Sequence, residues 1–164
     1  MDLGLDLRKD ILEYALMMEM LTTNFLAKLL DIKDPKNSRT LGNKTSSFSF
    51  NHKVDLLIDL GALRKEERKK YQYFMEIRNQ FIHNINACTH EKCLSGLDGT
   101  NNAILKLYPQ PENITLDEKY RNAVNALSDE VLKLTIEIID NLKDKFPTLS
   151  KFDAENTVLK NNTK

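Results

Sequence analysis

The chain has few of the residues that interrupt helices and few that favour other kinds of fold. Its 164 residues include five glycines, four prolines and no tryptophan, and 29% of them are charged. So little glycine and proline leaves few turns for a sandwich or a barrel, and the composition favours an all-helical protein. The length suffices to bury a hydrophobic core within one domain.

Other absences limit where the protein works and what it binds. Two cysteines do not make a disulfide scaffold, which favours a reducing compartment. The N-terminus lacks a secretory pattern, and no apolar run approaches the ~20 residues that span a membrane. We therefore expect a cytoplasmic protein. Because the formal net charge is zero, any contact with nucleic acid must come from a local patch.

Apolar residues in the first part of the chain recur with helical periodicity. The pattern predicts a long helix over residues ~5–31. Residues 33–47 are rich in asparagine, serine and threonine, and they predict a surface loop. A short helix should follow, with Ser49 or Asn51 as its N-cap and Gly61 at its end.

The second part of the chain predicts two further helices. A third helix is expected from ~65 to ~87. The segment Cys88–Ile114 contains two glycines and two prolines, and it predicts a short helical turn plus a long loop. The last helix begins at Thr115, where Thr115 and Glu118 form a capping-box pattern in which each side chain can bind the other residue's backbone amide.

Together these segments predict an all-α bundle of four to five helices. Residues 1–147 should form a single domain. Residues 148–164 are polar and lack periodicity, and we expect a disordered tail because burying them would not offset the entropy of ordering them.

An arginine, an asparagine and a histidine lie close together in the third helix, in the order Arg78-Asn79-x-x-x-His83. Arginine can bind a phosphate through two hydrogen bonds, and histidine can transfer protons near neutral pH. On an ideal helix residues 78 and 83 are separated by ~7.5 Å of rise and ~140° of rotation. They can meet on one ligand only if the arginine reaches round, the helix is distorted, or a second copy supplies the other half.

The sequence around these residues resembles a known group of proteins. The run Phe48–Leu63 is followed by a charged segment, by Ile77–His83 and then by Cys93. This order is similar to the mannitol-operon repressor family and, more broadly, to the HEPN superfamily of small helical bundles. The resemblance covers residues ~48–94, and the flanking helices match only as generic amphipathic helices.

The resemblance implies a specific chemistry. The HEPN motif is R-x(4-6)-H, and many members are metal-independent endoribonucleases that act as dimers. Arg78 and His83 would then be catalytic, and Asn79 would be the polar residue that often follows the arginine. RNA would be the substrate, a homodimer the working unit and an antitoxin a possible partner, with no cofactor. Some toxin members carry a tyrosine two residues after the histidine, where this chain has Ile85.

Other interpretations of the motif residues stay open at this point. Arg78 could belong to a buried or half-buried ion pair, since an unpaired buried charge is costly. The candidate partners are Glu13, Glu19, Asp55 and Asp59. His83 could be an exposed helical histidine without a role. The whole chain could instead be a non-enzymatic regulator like the mannitol-operon repressor family, or a scaffold that keeps the motif for packing.

Three further residues could suggest a metal site. Cys88, His90 and Cys93 follow a C-x-H-x-x-C spacing, which is not one of the common paired zinc-ligand patterns, and a fourth ligand is not evident. We expect no metal here, and Cys93 to be a small core residue.

Overall fold

The computed structural model describes residues 3–42 and 44–143, with the backbone alone for residues 139–143. These residues form six α-helices and one 3-10 turn at Lys65–Glu67. The helices are α1 (Leu5–Leu29), α2 (Phe50–Asp59), α3 (Arg68–His83), α4 (His90–Leu94), α5 (Thr100–Leu107) and α6 (Leu116–Lys143). The all-α prediction is confirmed, with one helix more than the four to five expected. The predicted tail lies outside the described residues.

Helix α3 occupies the centre of this arrangement. It packs against α1, α2, α4 and α6, while α1 also packs on α6 and α5 lies against α6. Four of its side chains are buried at helical spacing and point into one hydrophobic cluster, namely Tyr71, Phe74, Ile77 and Phe81. Burial of such side chains stabilises a helix by about 1.5–3 kcal/mol each, so α3 is fixed on several sides. Any site built on its outer face therefore rests on a rigid support.

Two predicted helix starts are confirmed by their caps. The Ser49 hydroxyl accepts a hydrogen bond from the His52 amide at 3.3 Å, and α2 ends just before Gly61, whose φ is +67°. The Thr115 hydroxyl accepts from the Glu118 amide at 3.2 Å, and the Glu118 carboxylate accepts from the Thr115 amide at 2.9 Å. Local hydrogen bonding of this kind is readable from sequence because both partners lie within four residues.

The predicted end of the third helix is wrong by about one turn. Helix α3 stops at His83, and Asn84 leaves the helix with φ −105° and ψ 106°. The Asn84 side chain accepts a hydrogen bond from the Asn86 amide at 3.0 Å, a local turn that competes with continued helix. His83 therefore lies at the C-terminal end of α3, and not inside a longer helix.

The prediction of a long loop over Cys88–Ile114 is also wrong. The segment holds α4 and α5, and α4 is capped by Thr89, whose hydroxyl accepts from the Lys92 amide at 3.2 Å. Gly99, with φ +85°, precedes α5, and Pro109 follows it. Gly99 and Pro109 therefore bound a helix, although glycine and proline predicted a loop here. In the described part of the chain no helix is long and apolar enough to cross a membrane.

Candidate functional site

Arg78, Asn79 and His83 lie in the C-terminal half of α3, outside the row of buried apolar residues. Asn79 and His83 are four residues apart, so they project from the same side of the helix. Both are exposed, whereas Arg78 is half-buried on the flank of that side. We call the exposed side of α3 that carries Asn79 and His83, together with Arg78 on its flank, the motif surface.

The guanidinium of Arg78 makes a single hydrogen bond with the described residues. Its Nη1 donates to Oδ1 of Asn79 at 3.0 Å. Its Nε is buried and lacks a hydrogen-bond partner. A buried donor without a partner costs free energy, of the order of 1–3 kcal/mol. The group is therefore positioned and partly desolvated, and most of its donors remain free for a ligand.

The ion pair considered for Arg78 is not present. Three of the four candidate carboxylates pair with other cations: Glu13 with Lys9 at 3.8 Å, Glu19 with Lys53 at 3.1 Å and Asp55 with Arg68 at 2.5 Å. The fourth, Asp59, is exposed and forms no ion pair with a described residue. The interpretation of Arg78 as one half of an internal ion pair is therefore wrong for the described chain.

His83 is the last residue of α3 and is exposed. Its imidazole makes no hydrogen bond with another described side chain or backbone group. An exposed imidazole of this kind can exchange protons with a bound molecule. The geometry is equally that of an ordinary surface histidine, so the role of His83 stays a prediction.

Arg8 in α1 holds the end of α3 in place, and no sequence pattern indicated this role. Its guanidinium donates to the backbone carbonyl of Phe81, and also to the carbonyls of Asn84, Ile85 and Ala87 at 3.1 to 3.2 Å. Carbonyls at a helix C-terminus lack partners within the helix. Arg8 supplies those partners, and so it fixes the turn that follows His83.

A polar groove lies between α2 and α3, beside the motif surface. It has a volume of about 210 Å³, and Asn79 forms part of its lining. The Arg68 guanidinium donates to both carboxylate oxygens of Asp55 in this groove, at 2.5 and 3.2 Å. This hydrogen bonding lowers the pKa of Asp55. The groove therefore joins Asn79 to a row of polar residues along both helices.

The cysteine and histidine cluster does not form a metal site. Cys93 is fully buried, and its Sγ lies 3.8 Å from the Ile77 carbonyl oxygen, as expected of a core residue. His90 is buried as well and packs edge-on against Phe81, with ring centroids 5.7 Å apart. Burial lowers the pKa of His90 to about 4 and raises the pKa of Cys93 to about 12. Among the described residues no group of three or more histidine, cysteine, aspartate or glutamate side chains could hold a metal ion.

Comparison with known proteins does not place the chain in a class. Searches of protein-family models, of curated proteins and of solved structures found no match. The fold and the motif surface are therefore the observations on which a function can be argued.

Proposed function

We propose that the chain is a HEPN-like endoribonuclease that cleaves RNA without a metal ion. The observation that carries the proposal is the state of Arg78: a half-buried guanidinium with no carboxylate partner in the described chain, positioned by Asn79 at 3.0 Å. A cation in this state favours an anionic ligand, and phosphate matches the geometry of a guanidinium. The exposed His83 on the same surface supplies the group that can move protons.

The reaction needs three actions, and the motif surface offers a group for each. The RNA 2′-oxygen loses its proton and attacks the adjacent phosphorus, and the bond from phosphorus to the 5′-oxygen breaks. His83 accepts the first proton or delivers one to the leaving 5′-oxygen. Arg78 stabilises the additional negative charge on the phosphate oxygens in the transition state. The products carry a 2′,3′-cyclic phosphate and a 5′-hydroxyl, and no metal is required by this scheme.

A homodimer would complete this site. The attacking and leaving oxygens lie on opposite sides of the phosphorus, so one imidazole does not reach both at once. A two-fold axis that brings two motif surfaces together would supply a second His83. Light scattering at micromolar concentration should therefore give twice the 18.9 kDa monomer mass, and a monomer alone would contradict the composite site.

The catalytic test compares two exposed histidines. His83→Ala should reduce the rate of RNA cleavage at least ~100-fold, the usual scale for a general acid or base, while His52→Ala in α2 should leave it unchanged. The substrate is a mixed RNA pool in EDTA, with analysis of the product ends. Equal cleavage by His83→Ala and wild type would refute the proposal. No cleavage by folded wild type, purified away from any antitoxin, would favour the regulator or scaffold interpretation.

A further inference from the structure

The groove between α2 and α3 has a lining that the proposed reaction does not use. Tyr71 and Val54 are buried beneath it, and Met75 is half-buried in its wall. Its volume of about 210 Å³ is below the ~300–1,000 Å³ of pockets for drug-sized ligands. A groove of this volume, with an apolar floor and polar walls, fits a single flat ring system. A methionine thioether also packs well against an aromatic face.

The charged groups of the groove are already engaged with one another. Both oxygens of Asp55 accept from Arg68. Glu76 accepts from the Gln72 amide at 2.9 Å and from the Thr100 hydroxyl at 2.5 Å. Two carboxylates and one guanidinium give these groups a net charge of minus one. A phosphate would be repelled from the groove, so its occupant is a neutral part of a ligand.

The groups that remain available are carboxamide atoms. The amide of Asn51, the amino group of Asn79 and the carbonyl oxygen of Gln72 have no hydrogen-bond partner among the described residues. Asn51 alone keeps a donor beside an acceptor, and it can pair with the adenine edge in the same way that asparagine reads adenine in nucleic acids. Asn79 adds a donor and Gln72 an acceptor. The neighbouring carboxylates favour adenine, which carries an exocyclic amino group and no carbonyl oxygen, and they disfavour uracil, which carries carbonyl oxygens and no amino group.

The groove also has the right position relative to the motif surface. Asn79 lines the groove and accepts the hydrogen bond from Arg78 at 3.0 Å. His83 follows four residues later on the same side of α3, about 6 Å further along the helix axis. A base held in the groove would therefore place its own phosphate over Arg78 and within reach of His83.

We propose that this groove is a nucleobase pocket that binds adenine in preference to uracil, next to the phosphate held by Arg78. The inference rests on the proposed RNA-cleaving function for the source of the adenine, an RNA strand. What the inference adds is the identity of the base, adenine, that the RNA strand places beside the cleavage site.

The test measures binding without cleavage. By isothermal titration calorimetry, AMP should bind wild type at least ~10-fold more tightly than UMP, the scale of one paired carboxamide contact. Asn51→Ala and Gln72→Ala should each reduce that ratio several-fold, and Asn125→Ala, an exposed asparagine on α6, should preserve it. Arg78→Met should weaken the binding of AMP and of UMP by the same factor. Because Asn51 is exposed, its replacement leaves the core intact.

The outcomes distinguish failure of the nucleobase pocket from failure of the proposed ribonuclease function. Equal affinity for AMP and UMP, or a ratio unchanged in both groove variants, overturns the pocket. A preserved adenine preference without RNA cleavage supports the pocket and refutes the ribonuclease. A 2′-deoxy strand with one adenine among uracils should bind more tightly than AMP. Weaker binding would identify a free nucleotide as the occupant and overturn the RNA source.

Discussion

The cationic residues at the two ends of α3 differ in whether they form ion pairs. At its N-terminal end, Arg68 pairs with Asp55 of α2 at 2.5 Å and Lys70 pairs with Glu130 of α6 at 2.8 Å. At its C-terminal end, Arg78 has no carboxylate partner in the described chain and bonds only to Asn79. The first group of charges ties α3 to its neighbours, and the second leaves a cation available to a ligand.

The Lys70–Glu130 pair is an example of charged side chains that connect one helix to another. Burial alone would raise the pKa of Glu130, yet the Lys70 ammonium and the Tyr108 hydroxyl, both hydrogen-bonded to it, lower that pKa overall. Through these contacts the Glu130 carboxylate joins α6 to α3 and to Tyr108, the residue that follows α5. Among the described residues no comparable set of partners surrounds Arg78. The two ends of α3 therefore differ in whether their cations are paired, and not in the type of residue.

The largest effect on stability is expected from Arg8, which holds the C-terminal end of α3 through backbone carbonyls alone. Arg8→Ala should lower the free energy of unfolding by about 2–4 kcal/mol, because several charged hydrogen bonds are lost together. Lys9→Ala, at an exposed neighbouring position, should change it by less than ~0.5 kcal/mol. Urea unfolding measures both, and equal effects would show that Arg8 does not anchor this end.

The next largest effect is expected from His90, which lies on the core side of the C-terminal end of α3. It should make the free energy of unfolding depend on pH. Its folded pKa of about 4 is lower than the ordinary ~6.5, so the unfolded chain binds the proton more tightly. The full stability is present above pH ~6.5, falls as the pH drops from ~6.5 to ~4, and is constant below ~4, with a total loss of about 3 kcal/mol. His90→Leu should flatten the curve between pH 6.5 and 5. An unchanged slope would mean that His90 is not the group responsible.

A smaller loss of stability is expected at the N-terminal end of α3, where the charged residues form ion pairs. Lys70→Met should lower the free energy of unfolding by about 1–2 kcal/mol, between the values for exposed and buried pairs, since both side chains are partly exposed. Adding Glu130→Gln should recover part of the loss, because the stranded carboxylate is removed. If the double variant loses as much as the sum of the two single variants, the pair is not coupled.

Local signals in the sequence predicted much of the fold. The caps at Ser49 and Thr115 and the apolar spacing of α1, α3 and α6 depend on residues within a few positions of each other, and they were predicted correctly. The predicted short helical turn corresponds to α4. Helix α5 was not predicted, because glycine and proline usually interrupt helices, whereas Gly99 and Pro109 flank this one.

The candidate site was predicted less completely, for a different reason. The residues of the motif surface were identified from their spacing, but the contacts that decide their use are distant in sequence. Arg8 reaches carbonyls more than seventy positions away, and Asp55, considered for Arg78, pairs with Arg68 across two helices. The groove likewise exists only because α2 packs on α3.

The most direct test of the contrast within α3 is the urea unfolding of Arg78→Met, measured beside Lys70→Met. Methionine keeps a long apolar stem and removes the charge, so the two variants are matched. If the Arg78 charge serves a ligand, its removal should lower the free energy of unfolding by no more than ~0.5 kcal/mol. Loss of the buried Nε, which has no partner among the described residues, acts to raise that free energy. A loss as large as that of Lys70→Met, or larger, would show that the fold itself uses the charge and would contradict the account.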